Sequence, residues 1–176
     1  IVYDAASLAE QWDWRLFGVV SAVQDQGGCN SCWAFVATSA VESLQAIKGL
    51  TVVPIVAGEN ATAVGERAGN ATVYEHEGKL YVAPPITALS QQNLMDCAGR
   101  EGNVACLGGS VDGALEYILR NHGIDTAESY PYRMLSSTVC LYNSTARGAA
   151  LTAYANLLAG SEEQLQAAVS LHNPVS

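Results

Sequence analysis

The sequence predicts an α+β protein, because it combines segments of helical periodicity with a clear β-hairpin. Apolar residues recur at helical spacing over residues 33–48, and Gly49 suits the end of that helix. Residues 72–82 contain two runs of β-favouring residues around Glu77-Gly78, which predicts a hairpin that ends before Pro84-Pro85.

Three further segments complete the predicted elements. Residues 111–121 continue the helical pattern toward a cap near Gly123. Ser161 and Gln164 have the spacing of a capping box, so a helix is predicted to begin there. Gly58-Glu-Asn-Ala-Thr and Ala68-Gly-Asn-Ala-Thr form a short polar repeat, which we expect to be flexible.

Composition excludes several classes of protein. The 176 residues are 49% hydrophobic and only 14% charged, which favours one large or two small globular domains over disorder. Seventeen acidic residues against eight Lys and Arg give a net charge of −9, which argues against a nucleic-acid partner. The sequence has no apolar run of about 18 residues that would predict a membrane span. The first residues lack Met and the layout of a signal peptide, so we expect a processed chain or a fragment.

Cysteines and glycosylation patterns predict a secretory-pathway protein, extracellular or lysosomal/vacuolar. The cysteines are Cys29, Cys32, Cys97, Cys106 and Cys140. This odd number fits two disulfides and one free thiol; five choices of free cysteine times three pairings allow 15 arrangements. The acceptor patterns for N-glycosylation begin at Asn60, Asn70 and Asn143.

The segment Gln26-Gly-Gly-Cys-Asn-Ser-Cys-Trp-Ala-Phe runs from a glycine turn into the first helix. It places Cys32 in the first helical turn, where unpaired N–H groups and the helix dipole favour an anion. A thiol in this position readily loses its proton and becomes a nucleophile. Three other interpretations of Cys29 and Cys32 are possible: a redox dithiol, half of a zinc site, or two ordinary buried cysteines. The first normally follows a strand in a βαβ domain, and the second needs another close ligand pair, which the sequence lacks.

The same ten residues resemble the active-site segment of the papain-like cysteine peptidases, which include the cathepsins. Asp13-Trp14-Arg15, residues 89–97 and Glu128-Ser-Tyr-Pro-Tyr resemble other segments of that family. The resemblance implies that Cys32 is the nucleophile. It implies that Gln26 donates a side-chain N–H to the oxyanion hole, beside the backbone N–H of Cys32.

The resemblance also selects one cysteine pairing. It implies the disulfides Cys29–Cys106 and Cys97–Cys140 and leaves Cys32 free. No metal or organic cofactor is implied. Asn30 stands where the family usually has glycine; asparagine tolerates left-handed backbone better than most residues.

Residues 106–114 resemble the Cys-x-Gly-Gly segment that lines the substrate cleft in this family. Because it lacks a Cβ, Gly109 lets the backbone approach and bond to an extended peptide. The alternative is a tight turn that only begins the next helix. The residues implied to bind substrate are Trp33, Gly108, Gly109, Ser110 and Val111. Ser110 and Val111 would border the pocket for the side chain two residues before the cut and give it a medium-sized apolar preference.

The fold implied by the resemblance is papain-like, with two lobes and a cleft between them. Residues 17–152 would form a complete helical lobe. Residues 1–16 and 153–176 would begin a β-rich lobe that is only partly present. Residues 50–88 are longer than the link usual in the family and would form a surface insertion. That insertion would either cover the cleft or be a glycosylated excursion without a chemical role.

A thiol peptidase needs a general base, which is a histidine oriented by an asparagine in this family. His76 and His122 are expected to be solvated surface residues. His172 follows Cys32 by 140 positions, yet it precedes the strand entry at Pro174, whereas the family's histidine follows that strand. We therefore expect the base in a C-terminal remainder or a second chain.

The resulting hypothesis is a cysteine endopeptidase that cleaves peptide or protein substrates through an acyl-thioester on Cys32. The alternative is a catalytically inactive relative that acts as a secreted structural or binding protein.

Overall fold

The structure is a computed structural model that describes residues 8–54, 60–69, 71–137 and 139–171. The helices are α1 Cys32–Gly49, α2 Ala61–Arg67, α3 Gln91–Cys97, α4 Val111–Arg120 and α5 Glu162–Leu171. The strands are β1 Thr51–Val53, β2 Val73–His76, β3 Lys79–Val82, β4 Ile124–Asp125 and β5 Arg147–Ala149. Short 3-10 turns lie at Trp14–Phe17, Ala98–Glu101, Ala105–Leu107 and Ser144–Ala146.

These elements form an α+β fold, as predicted. The helix predicted over residues 33–48 is α1, and the predicted hairpin is the pair β2–β3. Both predictions depended on local patterns, which explains why they are accurate to about one residue at each end.

Two small antiparallel sheets are present among the described residues. In the first, β3 lies between β1 and β2, so that Tyr81 is opposite Val52 on one side and Tyr74 on the other. In the second, β4 pairs with β5, with Ile124 opposite Ala149. The predicted hairpin is therefore part of a three-stranded sheet.

The chain divides into two compact units. One contains the described parts of residues 1–21, 43–86 and 157–175, and the other contains residues 22–42 and the described parts of 87–156. The division of the chain at residues 16/17 and 152/153 stays a prediction.

An aromatic cluster forms the core of the first unit. Phe17 is buried and stacks on Trp12, with ring centroids 5.3 Å apart. Tyr81 and His76 meet Phe17 edge-on, each at 4.9 Å. The expectation that His76 is a solvated surface residue is therefore wrong, because its ring is half-buried against aromatic neighbours.

Helices α3 and α4 and strand β4 supply much of the core of the second unit. Leu94, Ile118 and Ile124 are fully buried in it. Ser90 caps α3, since its Oγ accepts a hydrogen bond from the N–H of Asn93 at 2.8 Å. The same Oγ donates to the carbonyl of Tyr130 at 2.6 Å.

Two local predictions need correction. The expected flexible repeat includes residues 60–62, but Asn60 caps α2 by accepting from the N–H of Ala63 at 3.0 Å. The capping box at the start of α5 is only half formed. The N–H of Gln164 donates to Ser161 Oγ at 3.3 Å, whereas Gln164 Oε1 accepts from Leu158 N–H instead of from Ser161.

Candidate active site

Cys32 is the first residue of α1 and carries an exposed free thiol. No described side chain forms a hydrogen bond with this thiol. The backbone N–H of Cys32 is one of the donors that a helix start leaves without an intrahelical acceptor. No other acceptor for it lies within reach among the described residues. A nucleophilic atom and a hydrogen-bond donor therefore belong to one residue at the same helix end.

Disulfides account for the other four cysteines. Cys29 is bonded to Cys106, with Cα atoms 4.7 Å apart, and Cys97 is bonded to Cys140, with Cα atoms 4.8 Å apart. These are the pairs that the family resemblance implies. Because Cys29 is bonded to Cys106, the structure leaves no Cys29–Cys32 dithiol and no zinc half-site.

The Cys29–Cys106 bridge also brings two predicted site segments together. Beside it, the N–H of Asn30 donates to the carbonyl of Cys106 at 3.2 Å. The segment around Cys32 is thus fastened to the segment that leads into Gly108 and Gly109.

Gln26 lies in a turn that its neighbours hold in place. Asp25 Oδ1 accepts from the N–H of Gly27 at 2.8 Å, which is an Asx-type turn. Gly27 has φ +61°, a left-handed conformation that favours glycine. Gln26 is half-buried, and its side-chain amide has no hydrogen-bond partner within the described part of the chain.

Gly109 lies against two buried side chains. A Cβ on Gly109 would collide with Asn103 Oδ1 and would come within 2.8 Å of two ring carbons of Trp33. Trp33 is only 3% exposed, and its indole N–H donates to the carbonyl of Ala105 at 3.2 Å. Trp33 therefore supports the glycine edge from the interior.

Ser110 caps α4, and Val111 is the first residue of that helix. Ser110 Oγ accepts from the N–H of Gly113 at 3.0 Å, so its hydroxyl caps the helix. Gly108, two residues before Ser110, has φ +122°, which a residue with a side chain rarely adopts. The turn interpretation and the binding interpretation of this segment are thus compatible, and the pocket role of Ser110 and Val111 stays a prediction.

Two residues at the site were missed by sequence reasoning. Asn103, which is buried, accepts from the N–H of Ser110 at 2.7 Å. Tyr132 forms hydrogen bonds with Gln26 and Ser31. Tyr132 belongs to the Tyr-Pro-Tyr match noted in the sequence, but a single sequence carries no signal that singles out Asn103.

Comparison with known protein families identifies the family of this chain. Residues 8–57 and 68–176 match the family model for the papain family cysteine proteases. This chain belongs to the papain family of cysteine proteases. Residues 58–67 fall outside the match, within the predicted insertion at 50–88.

Curated relatives in the papain family carry peptidase names. Cysteine proteinase 2 of Dictyostelium discoideum is 34% identical over 99% of this chain. A cathepsin L-like peptidase of Aedes aegypti is 38% identical over 93% of it. The chain spans only 37% and 38% of the length of these two relatives.

Solved structures of two precursor proteins share the fold. Digestive procathepsin L 3 of the Tenebrio molitor larval midgut is 31% identical, with a TM-score of 0.66. Recombinant stem bromelain precursor is 28% identical, with a TM-score of 0.69. Each alignment covers 97% of this chain and 45% of the other.

Asn30 departs from the usual papain-family glycine without needing an unusual backbone. It is not among the described residues with positive φ, so the expected tolerance of left-handed backbone is not used here. Asn30 is exposed, and its backbone N–H bonds to Cys106 as described.

Two of the three histidines of this papain-family chain, His76 and His122, are among the described residues. His76 belongs to the aromatic cluster of the first unit. His122 is exposed at the end of α4, where its carbonyl accepts from Arg147 Nη1 at 3.1 Å. His172 lies outside the described residues.

Two searches of the described residues bear on other kinds of site. None of the helices there is both long and apolar enough to cross a membrane. Across the same residues, His, Cys, Asp and Glu form no group of three or more that could hold a metal ion.

Proposed function

We propose that the protein is a cysteine endopeptidase with Cys32 as its nucleophile and Gln26 as an oxyanion donor. The observation that carries this proposal is the free, exposed thiol at the first residue of α1 in a papain-family chain. Oxidation of the other four cysteines leaves one sulfur that can attack a substrate.

The reaction begins when the Cys32 thiolate attacks the peptide carbonyl carbon and the carbonyl oxygen becomes an oxyanion. The backbone N–H of Cys32 and the side-chain amide of Gln26 donate hydrogen bonds to that oxygen. The C–N bond then breaks, the leaving amine takes a proton, and the acyl group stays on sulfur as a thioester. Water hydrolyses the thioester and restores the thiol.

The proton donor in this scheme is a histidine oriented by an asparagine, both outside the 176 residues. His76 and His122 do not suit this role, since the first packs in an aromatic cluster and the second lies at the end of α4. We propose that a C-terminal remainder or a second chain supplies the pair.

The substrate is an extended peptide whose backbone lies along the Gly108-Gly109 edge. The close packing of the Gly109 backbone on Asn103 and Trp33, which holds this edge in place from the interior, supports this placement. Ser110 and Val111 would border the pocket for the side chain two residues before the cut.

Covalent labelling tests the proposal. A peptidyl epoxide or vinyl sulfone should add one equivalent to the native full-length protein and map to Cys32 in a peptide digest. Cys32→Ser should abolish labelling while keeping the wild-type melting temperature. If intact, reduced wild-type protein does not react, the inactive-relative alternative replaces the enzyme.

We propose that the protein passes through the secretory pathway to an extracellular or lysosomal/vacuolar site, and that Asn60, Asn70 and Asn143 are glycosylated. Asn143 is exposed, and its Oδ1 accepts from Thr145 Oγ1 at 2.8 Å. Asn70 lies outside the described residues. Endoglycosidase treatment should lower the mass of the secreted protein. Thr145→Ala should remove one glycan and leave Asn143 intact, and an unchanged glycan mass would contradict this assignment.

A further inference from the structure

Tyr132 contacts two points of the segment that carries both proposed oxyanion donors. Its Oη donates to the backbone carbonyl of Gln26 at 2.7 Å. It also lies 2.7 Å from Ser31 Oγ, and Ser31 directly precedes Cys32 in the chain. One phenolic oxygen therefore contacts this segment at Gln26 and again beside Cys32.

Proton accounting fixes the direction of these hydrogen bonds. A carbonyl only accepts, so the single phenolic proton of Tyr132 goes to Gln26. Ser31 must then donate to Tyr132. Its other acceptor is the carbonyl of Cys29 at 3.5 Å, which is much longer than the 2.7 Å contact with Tyr132.

The ring and the serine are both held in place. Ser31 is 0% exposed, and its carbonyl accepts from the N–H of Ala34 at 2.8 Å in the first turn of α1. The Tyr132 ring packs edge-on against Phe35 in the same helix, with centroids 4.9 Å apart. The phenol thus has little freedom to move relative to the start of α1.

We propose that Tyr132 is a positioning residue that fixes the Gln26 segment relative to the Cys32 N–H, so that both donors reach one oxyanion. This inference rests on the proposed function. An oxyanion donor acts only within about 2.7–3.1 Å of the developing charge, and small displacements are costly to the rate. Tyr132 acts on the two donors through the backbone of Gln26 and the side chain of Ser31, and does not itself touch the substrate.

Steady-state kinetics of the full-length protein test this role. Tyr132→Phe keeps the ring on Phe35 but removes both hydrogen bonds. We expect kcat to fall about 10-fold, which is less than the loss on deleting a donor outright, while KM changes by less than about twofold. Tyr154→Phe is the matched control, because it removes a tyrosine hydroxyl whose one hydrogen bond among the described residues goes to Glu116 at 3.4 Å.

A pair of thiol reagents separates positioning from general damage. A peptide aldehyde adds to Cys32 as a tetrahedral hemithioacetal whose oxygen takes the position of the substrate oxyanion, whereas iodoacetamide alkylates the sulfur without forming such a centre. Tyr132→Phe should weaken aldehyde inhibition in proportion to the loss of kcat and leave the alkylation rate by iodoacetamide within about twofold. If the role of Tyr132 were merely structural, the substitution would change the reactivity toward both reagents together.

Ser31→Ala provides a second route if Tyr132→Phe folds poorly. Both variants break the same link, so the double variant should lose about as much kcat as the worse single variant. Wild-type kcat in Tyr132→Phe, or in Ser31→Ala where Tyr132→Phe does not fold, would overturn the positioning role while leaving the enzyme intact. Failure of the wild-type protein to react with the peptidyl probe would instead overturn the proposed function.

Discussion

Asn103 and Gly109 pack so closely that no side chain fits between them. Asn103 Oδ1 accepts a hydrogen bond from the N–H of Ser110 at 2.7 Å, and a Cβ on Gly109 would collide with the same oxygen. Gly109 does not have a positive φ, so its neighbours and not its backbone conformation require the glycine. Asn103 thereby sets the position of the proposed substrate-binding edge from the interior.

Gly109→Ala should lower both stability and peptide binding. The added methyl group must displace Asn103 or Trp33, which we expect to cost about 1–3 kcal/mol in the free energy of unfolding. Denaturant titration measures this change, and KM for a peptide substrate should rise. Gly99→Ala is the control, because a Cβ there meets nothing within 4 Å. Equal stability of the two variants would contradict the packing argument.

Asp96→Ala should be strongly destabilising. The Asp96 side chain is 0% exposed and accepts from Tyr130 Oη at 2.8 Å, Arg133 Nη2 at 3.2 Å and the N–H of Ser137 at 3.2 Å. Removing the carboxylate leaves buried donors without an acceptor. We expect a loss toward the lower end of about 3–5 kcal/mol, because Arg133 remains partly exposed to water.

Glu128→Ala is the matched control for Asp96→Ala, since Glu128 is an exposed acidic residue near the same segment. It should change the free energy of unfolding by less than about 0.5 kcal/mol. Urea titration of both variants compares them directly. Similar midpoints would show that the Asp96 network adds no stability.

Tyr130 should ionise only in strongly alkaline solution. Burial, and then its hydrogen bond to Asp96, raises the pKa of Tyr130 to about 12. Since its pKa in the unfolded chain is about 10, this contribution to stability is complete below about pH 10 and is lost as the pH rises toward 12. Ultraviolet absorbance of the phenolate follows the titration. Tyr130→Phe should lose less stability than wild type over this interval, and identical losses would contradict the assignment.

Asp125 should make the protein more stable in mildly acidic solution. Burial raises the pKa of the Asp125 carboxyl above its ordinary value, although one oxygen accepts from the N–H of Asn143 at 3.0 Å. Its folded form therefore binds a proton more tightly than the unfolded chain does. Wild type should gain stability relative to Asp125→Asn as the pH falls from neutral toward about 4. Thermal unfolding across this pH range measures the difference in stability between the two proteins. A difference that stays constant with pH would contradict the prediction.

Local patterns predicted the parts of the fold that depend on neighbours in sequence. Helix α1 and the β2–β3 hairpin have clear periodicity and turn residues, and both form as expected. The family resemblance supplied the disulfide pairing, which spacing alone left open among many arrangements. The helical pattern that begins at residue 33 was enough to place Cys32 at a helix start.

Contacts between distant residues were beyond the reach of the sequence. Helix α2 was missed because a short polar segment with a glycine has weak helical propensity, while burial of Val64 stabilises it in the fold. His76 was misjudged because its ring packs against Phe17, far away in sequence. The same limit applies to Tyr132, whose contacts with Gln26 and Ser31 span about a hundred residues.

The hydroxyl of Ser90 couples two events that could otherwise occur separately. Since one oxygen caps α3 through Asn93 and holds the carbonyl of Tyr130, release of either contact weakens the other. Fraying at the start of α3 and displacement of the Tyr130 segment should then belong to one cooperative opening. The amide of Asn93 would exchange its hydrogen with solvent at a rate that reports on both.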